Sequence, residues 1–211
     1  MSVGGKAEGL ARLQTLGLPV PPFVAVPVGD DVDEAAVAHL GEPLAVRSSA
    51  VGEDAADRSA AGQYETVLGV RLCELADAVA RVRASTDRAR AYGGSADVAV
   101  VIQRQVHATR AGVAFSRDPV TGADEVVIEC ALGGGEAVVA GLVTPDRYRV
   151  SEGVVRARAA GDMRTLRDDE VQALVELVQR AEEGFGIPVD VEFCFEGRTL
   201  WLVQCRPITT L

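Results

Sequence analysis

The sequence predicts an α+β protein, and three observations carry that expectation. Helix-period apolar stripes and β-branched runs share the chain without a regular β-α-β alternation. Short strand-like segments crowd the middle third, separated by Asp118-Pro119 and Thr121-Gly122 turn chemistry. The last stretch, "FCFEGRTLWLVQCRP", places two apolar runs around a glycine-containing turn, as a hairpin requires. The mixture points to one domain over residues 1–211, built as two lobes around a cleft, approximately 1–105 and 106–211.

In chain order, "GGKAEGLARLQTLG" spaces Ala7, Leu10, Ala11 and Leu13 as a short helix stopped by Gly17 and Pro19. "VPPFVAVPV" is a proline-interrupted strand near a sheet edge. Residues 29–43 suffice for one short helix. Leu44–Arg47 and Glu65–Val70 are strands flanking a long loop of small and polar residues, a length that is usually functional or mobile. Residues 71–92 are helical, and "DVAVVIQRQV" is a strand. Residues 111–160 alternate strands and turns. Over residues 166–183, Val171, Leu174, Val175 and Val178 form an apolar stripe; Thr165 with Asp168 resembles a capping box, and Gly184 ends the helix.

Of the 211 residues, 48% are hydrophobic and 25% charged, as in ordinary globular proteins, while aromatics at 4% leave the core to Val, Leu and Ala. A net charge of -10 repels nucleic acid and anionic lipid, so neither is expected as a partner. An anionic ligand would need a local gathering of cations, or a metal. Cys73, Cys130, Cys194 and Cys205 lack Cys-x-x-Cys spacing, and His39 and His107 are the only histidines, so a zinc site is not expected. Reduced thiols in a cytoplasmic protein are favoured over a Cys194–Cys205 disulfide. No signal-peptide h-region or bilayer-length apolar run is present.

Four stretches could carry chemistry. "GGK" at Gly4–Lys6 lacks the preceding strand and the following Ser or Thr of a P-loop. A lysine at a helix start opposes the helix dipole, which an anionic partner would relieve; a solvated lysine is the plainer reading. Arg47 leaves an apolar strand in "VRSSA", as a rim ion pair or as a fork for phosphate oxygens. The glycines of "GGGEA" could let backbone approach a ligand or simply form a flexible turn. In the closing hairpin, Glu192 and Gln204 interrupt apolar runs. An odd number of intervening residues sets them on one face, whereas a two-residue Glu196-Gly197 turn sets them on opposite faces unless a bulge intervenes. On one face, a carboxylate and an amide oxygen suit Mg2+, and Arg206 could neutralise a transferring phosphoryl group. Read alone, the pair is equally a solvated strand face.

"GGKAEGLARL", "AVRSSAVGED", "SAAGQYETVLGV", "VVIQRQV", "AGVAFSRDPVTG", "GGGEAVVAGLVTPDRYRV", "PVDVEFCFEG" and "LVQCRP" follow one another from Gly4 to Pro207. Together they resemble the N-terminal ATP-binding domain of phosphoenolpyruvate synthase, pyruvate phosphate dikinase and rifampicin phosphotransferase. The resemblance implies an ATP-grasp-like fold with ATP and Mg2+ held between the two lobes. It implies that Lys6 and Arg47 contact phosphates and that Gly62 and Thr66 belong to the phosphate-covering loop. Gln103, Gln105 and Val106 would fall on the strand bordering adenine, and Glu136 would close the nucleotide site. Glu192 and Gln204 would bind the metal, and Arg206 would be the catalytic arginine, with Lys6 and Arg47 assisting.

The chain departs from the family in its short 29–43 segment, which suggests a minimised form, and in a glutamine at 105 where methionine is common. Neither His39 nor His107 has the Gly-rich Ser-His context of the swivelling phosphohistidine domain, and that domain and the substrate domain are absent from the sequence. The expected activity is therefore Mg2+-dependent phosphate transfer from ATP to a histidine on a separate partner protein or to a small-molecule acceptor. A stand-alone ATP-grasp kinase or ligase releasing ADP, and a non-catalytic nucleotide-binding module, are the alternatives.

Overall fold

The computed structural model describes residues 3–50, 66–91, 98–134 and 143–208. The chain divides into two compact units, Met1–Gly9 with Pro21–Gln105 and Leu10–Val20 with Val106–Leu211.

In the first unit, β1 (Phe23–Val26), β2 (Leu44–Ala50), β3 (Thr66–Val70) and β4 (Val98–Arg104) form an antiparallel sheet in the order β1-β4-β2-β3. β1 takes an edge, where the prolines around it cost no ladder hydrogen bond. Helix α2 (Glu34–Ala38) starts at Asp33, whose carboxylate accepts from the Ala35 and Ala36 N–H groups. A 3-10 turn (Leu72–Glu74) leads into α3 (Leu75–Ala91). Val37, Leu40, Leu44, Val46, Leu75, Val82, Val100 and Ile102 close one face of the sheet. Helix α1 (Gly4–Thr15) begins in this unit.

In the second unit, β5 (Arg110–Phe115), β6 (Val126–Leu132), β7 (Asp146–Ser151), β8 (Val154–Arg158), β9 (Val189–Glu196) and β10 (Thr199–Pro207) make an antiparallel sheet. Its order is β10-β9-β5-β6-β7-β8. Helix α4 (Asp168–Phe185) covers one face through Val171, Leu174, Val175 and Val178, packed with Ile128, Tyr148, Phe193 and Leu202. Leu13, from the later turns of α1, and Leu18 belong to this core. No described helix is long and apolar enough to cross a membrane.

α4 differs from expectation at both ends. Its N-cap is Arg167, whose N–H donates to Glu170 at 3.0 Å, rather than Thr165 with Asp168. Gly184 lies inside the helix, packed beneath Leu16: a Cβ there would stand 2.3 Å from a Leu16 methyl, which would have to shift. The helix ends at Gly186, in the left-handed region at φ 65°. β4 stops at Arg104, leaving Gln105 and Val106 beyond the strand. Cys194 and Cys205 are not joined in a disulfide; Cys205 packs in the core beside Val191, whereas alternation turns Cys194 to the other face.

Candidate functional site

The closing hairpin resolves the parity question posed by the sequence. Its two-residue turn is Gly197-Arg198, with Glu196 opposite Thr199 and Leu202 opposite Phe193. Continued unbroken, that register would set Val203 against Glu192 and send Gln204 to the core face opposite Val191. A bulge between Leu202 and Gln204 absorbs Val203, so Gln204 stands opposite Glu192 and Arg206 opposite Asp190. Val189, Val191, Phe193 and Phe195 pack into the core. Asp190, Glu192, Gln204 and Arg206 therefore share the face of the sheet opposite that core.

Within this cluster the Arg206 guanidinium donates from Nε (2.9 Å) and Nη2 (2.8 Å) to Asp190 Oδ2. The arginine side chain is half exposed and the aspartate buried. Burial pushes the Asp190 carboxyl above the usual carboxylate range; Arg206 opposes that rise and the nearby Glu192 charge adds to it. The second oxygen, Oδ1, is buried and has no hydrogen-bond partner among the described residues. Gln204 is buried and Glu192 half-buried. Asp190 was missed by sequence reasoning, although it sits two residues before Glu192 in "VDVEF", the spacing that returns a side chain to the same strand face.

An ion pair fixes the hairpin's turn. Arg110 binds Glu170 through Nη1 (2.6 Å) and Nη2 (3.0 Å) and donates to the Gly197 carbonyl at 3.1 Å. Its guanidinium also lies 4.4 Å from the centre of the Phe195 ring. The start of α4 and the β9–β10 turn are thus held by one side chain. Asp146 plays a similar part further along, accepting from the Ala160 and Thr165 N–H groups and the Tyr148 hydroxyl.

In the first unit, Gly4 adopts φ 73°, and a Cβ on it would lie 2.2 Å from the Ser49 carbonyl oxygen. Only glycine permits that approach. It seats the first turn of α1, which contains Lys6 and no acidic residue, on β2, where the Ala7 N–H donates to Ser49 Oγ at 3.1 Å. Arg47 lies two residues before Ser49 on the same strand face, about 7 Å along the strand. Thr66 is paired directly opposite Arg47. The backbone thus brings the Lys6 turn, Arg47 and Thr66 to one region of the sheet.

Gln103 is buried, and its Nε2 donates to the Pro21 carbonyl at 3.4 Å. Gln105 Oε1 accepts the Gly69 N–H at 2.5 Å, tying the end of β4 to β3. Both amides therefore have structural duties. The Val106 carbonyl accepts from the Ala108 N–H. Gly62 and Glu136 lie outside the described residues.

Comparison with solved structures gives the class first. The fold matches D-alanine–D-alanine ligase from Bacillus anthracis complexed with ATP at a TM-score of 0.57 and 11% identity, covering 97% of this chain and 54% of that one. It also matches the ADP complex of N5-carboxyaminoimidazole ribonucleotide synthetase at 0.55 and 13% identity, covering 97% and 45%. The chain has the α+β ATP-grasp-like fold.

The sequence then gives the family. The chain belongs to the family described as pyruvate phosphate dikinase, AMP/ATP-binding domain, which matches residues 28–161 and 152–211. It is 36% identical over 203 residues to a probable phosphoenolpyruvate synthase of Methanothermobacter thermautotrophicus, covering 80% of this chain and 30% of that protein. It is 37% identical over 227 residues to a rifampicin phosphotransferase of a Streptomyces species, covering 89% and 26%. The prodigiosin synthesizing transferase PigC of Serratia marcescens is 33% identical over 282 residues, covering 99% and 32%. The chain spans about a third or less of the length of these relatives.

Proposed function

We propose that this chain is the ATP-binding, phosphoryl-donating component of a phosphotransferase, passing phosphate from ATP to a histidine on a partner protein or to a small-molecule acceptor. The observation that carries the reading is the Val203 bulge, which sets Gln204 opposite Glu192 and Arg206 opposite Asp190. A hairpin built only for burial has no use for four polar side chains on one face, two from each strand. Names of relatives support the class: phosphoenolpyruvate synthase and rifampicin phosphotransferase.

In this reading Lys6 and Arg47 contact the phosphates, supplying local positive charge in a chain of net charge -10. Gly62 belongs to the loop covering them and Thr66, the first residue of β3, adjoins them; Gln103, Gln105 and Val106 border adenine, and Glu136 closes the site. Arg206, held in orientation by Asp190, meets charge that develops on the transferring group. In the two-step scheme, one phosphoryl group of ATP passes to histidine and another to water, leaving AMP, a phosphohistidine and inorganic phosphate. A stand-alone ATP-grasp kinase or ligase, which forms a phosphorylated intermediate and releases ADP, is the competing reading.

The donor set fits Mg2+: the Glu192 carboxylate, the Gln204 amide oxygen and the unpartnered Asp190 Oδ1 are all oxygens. No group of three or more His, Cys, Asp or Glu side chains suited to a metal occurs among the described residues. An ion that draws the rest of its shell from water and phosphate suits so sparse a set. When bound, Mg2+ would neutralise phosphate charge. The test is product analysis of ATP incubated with the chain and a histidine-bearing swivelling domain supplied separately, alongside a Mg2+ titration of Glu192→Ala. AMP with a labelled histidine supports the reading; ADP with no labelled protein favours the competing one. An unchanged Mg2+ requirement in the variant would remove Glu192 from the metal site.

A further inference from the structure

The β7–β8 hairpin carries a charge pattern that the nucleotide reading does not use. Its register sets Arg147 opposite Arg158 and Arg149 opposite Arg156. Tyr148 and Val150 face the core, so alternation puts all four arginines on the open face. Like charges placed directly opposite destabilise a strand pair, and here two such pairs stand side by side in an acidic chain. On the inner strand, Arg147 is paired with Glu129, and Arg149 with Asp118 and Glu125. On the outer strand, Arg156 and Arg158 are exposed and make no ion pair among the described residues. β8 is the last strand of its sheet, and Val154, on the same face, is 53% exposed.

We propose that β8 is a docking edge for an extended acidic segment of a partner protein, which adds beside it as a further strand. Alternate carboxylates of such a segment repeat about every 7 Å, the spacing of Arg156 and Arg158 along β8. Backbone hydrogen bonds to the free edge would supply affinity and the arginines selectivity. A second copy of this chain is a poor occupant, because pairing β8 with β8 would set arginine against arginine. Nucleic acid and anionic bilayers are extended polyanions that meet the repulsion of ten net negative charges. The same arginines would keep uncharged edges from pairing there. The proposal does not depend on the nucleotide reading.

The test uses the full chain and a fluorescein-labelled octapeptide of alternating Glu and Thr, with a Lys-Thr octapeptide as its counterpart, read by anisotropy. The acidic peptide should bind and weaken as salt rises, while the basic one should not bind. The double variant Arg156→Glu/Arg158→Glu should lose roughly tenfold or more in affinity, since two exposed ion pairs turn repulsive. Arg198→Glu, an exposed charge change in the β9–β10 turn, should not alter it. Should the double variant fold poorly by thermal melt, Arg156→Gln/Arg158→Gln replaces it, with a smaller loss expected. Amide exchange over Val154–Arg158 should slow on peptide binding. Unslowed exchange, wild-type affinity in the arginine variants, no binding at low salt, or tighter binding of phosphatidylserine vesicles or a single-stranded oligonucleotide would each overturn the proposal.

Discussion

Replacing Arg206 with alanine should produce two separable losses. In the folded chain Arg206 gives two charge-assisted hydrogen bonds to one oxygen of Asp190, a carboxylate only 8% exposed. Removing one member of a fully buried pair costs about 3–5 kcal/mol, because the other charge stays behind. Arg206 is itself 50% exposed, so water already screens much of the interaction, and a loss of about 1–2 kcal/mol is the appropriate scale.

The pH dependence follows from the direction of the Asp190 shift. Burial holds its folded value above the unfolded one, so the folded state favours the protonated form, and without Arg206 the value rises further. Near neutral pH the variant must bury an uncompensated charge and shows the full loss. As pH falls through the variant's raised value, Asp190 becomes neutral and the difference from wild type shrinks. Urea unfolding from pH 4.5 to 8 measures this, and Asp190→Asn in the Arg206→Ala background should recover most of the loss at neutral pH. Turnover should be abolished while ATP affinity, by calorimetry, stays within about threefold, as expected for a group acting on developing charge. A stability loss independent of pH and not rescued by Asp190→Asn would refute the pairing argument, and unchanged turnover would refute the catalytic one.

Other outcomes are equally specific. Gly4→Ala should displace the first turn of α1 and weaken ATP binding at least tenfold, whereas Gly17→Ala, at φ 66° with open space around it, should cost only the backbone penalty of about 1–2 kcal/mol and leave ATP affinity unchanged. Tyr148→Phe deprives the Leu166 N–H of its acceptor and Asp146 of a donor in a fully buried setting, so chemical denaturation should show a loss of about 1–3 kcal/mol. Burial raises the Glu170 carboxyl, but hydrogen bonds from Arg110 and the Arg167 N–H outweigh it and hold the net value below the ordinary one. The stability this pair contributes is present above the unfolded carboxylate value and lost as pH falls through the folded one; Glu170→Gln should therefore flatten the acid limb of a stability–pH profile.

Local patterns in the sequence were enough to place α4, because its stripe of Val171, Leu174, Val175 and Val178 follows from helix geometry alone. They misplaced its end, because Gly184 sits inside the helix against Leu16, a residue nearly 170 positions away, while the left-handed stop falls at Gly186. The edge position of β1 was legible from its prolines. The closing hairpin was legible as a hairpin, but the bulge at Val203 was not, since a bulge depends on what each face of the finished sheet must hold. Asp190 could have been found by applying strand alternation backwards from Glu192. The arginine pairs of β7 and β8 could not, because only the register reveals which residues oppose each other.

The assignment of Leu10–Val20 to the second unit bears on how this molecule can be taken apart. The chain passes from one unit to the other after Gly9, after Val20 and after Gln105, and the first of these passages falls inside α1. A protease nick after Gln105 would yield a C-terminal fragment whose core lacks Leu13 and Leu18, both buried in the intact protein, and an N-terminal fragment carrying those leucines without that core. The N-terminal piece keeps the whole of its own unit and core, whereas the C-terminal piece lacks a segment of its own. Residues 10–20 would have to be supplied to fragment 106–211, and complementation with that segment is thus the natural way to ask which half retains affinity for nucleotide.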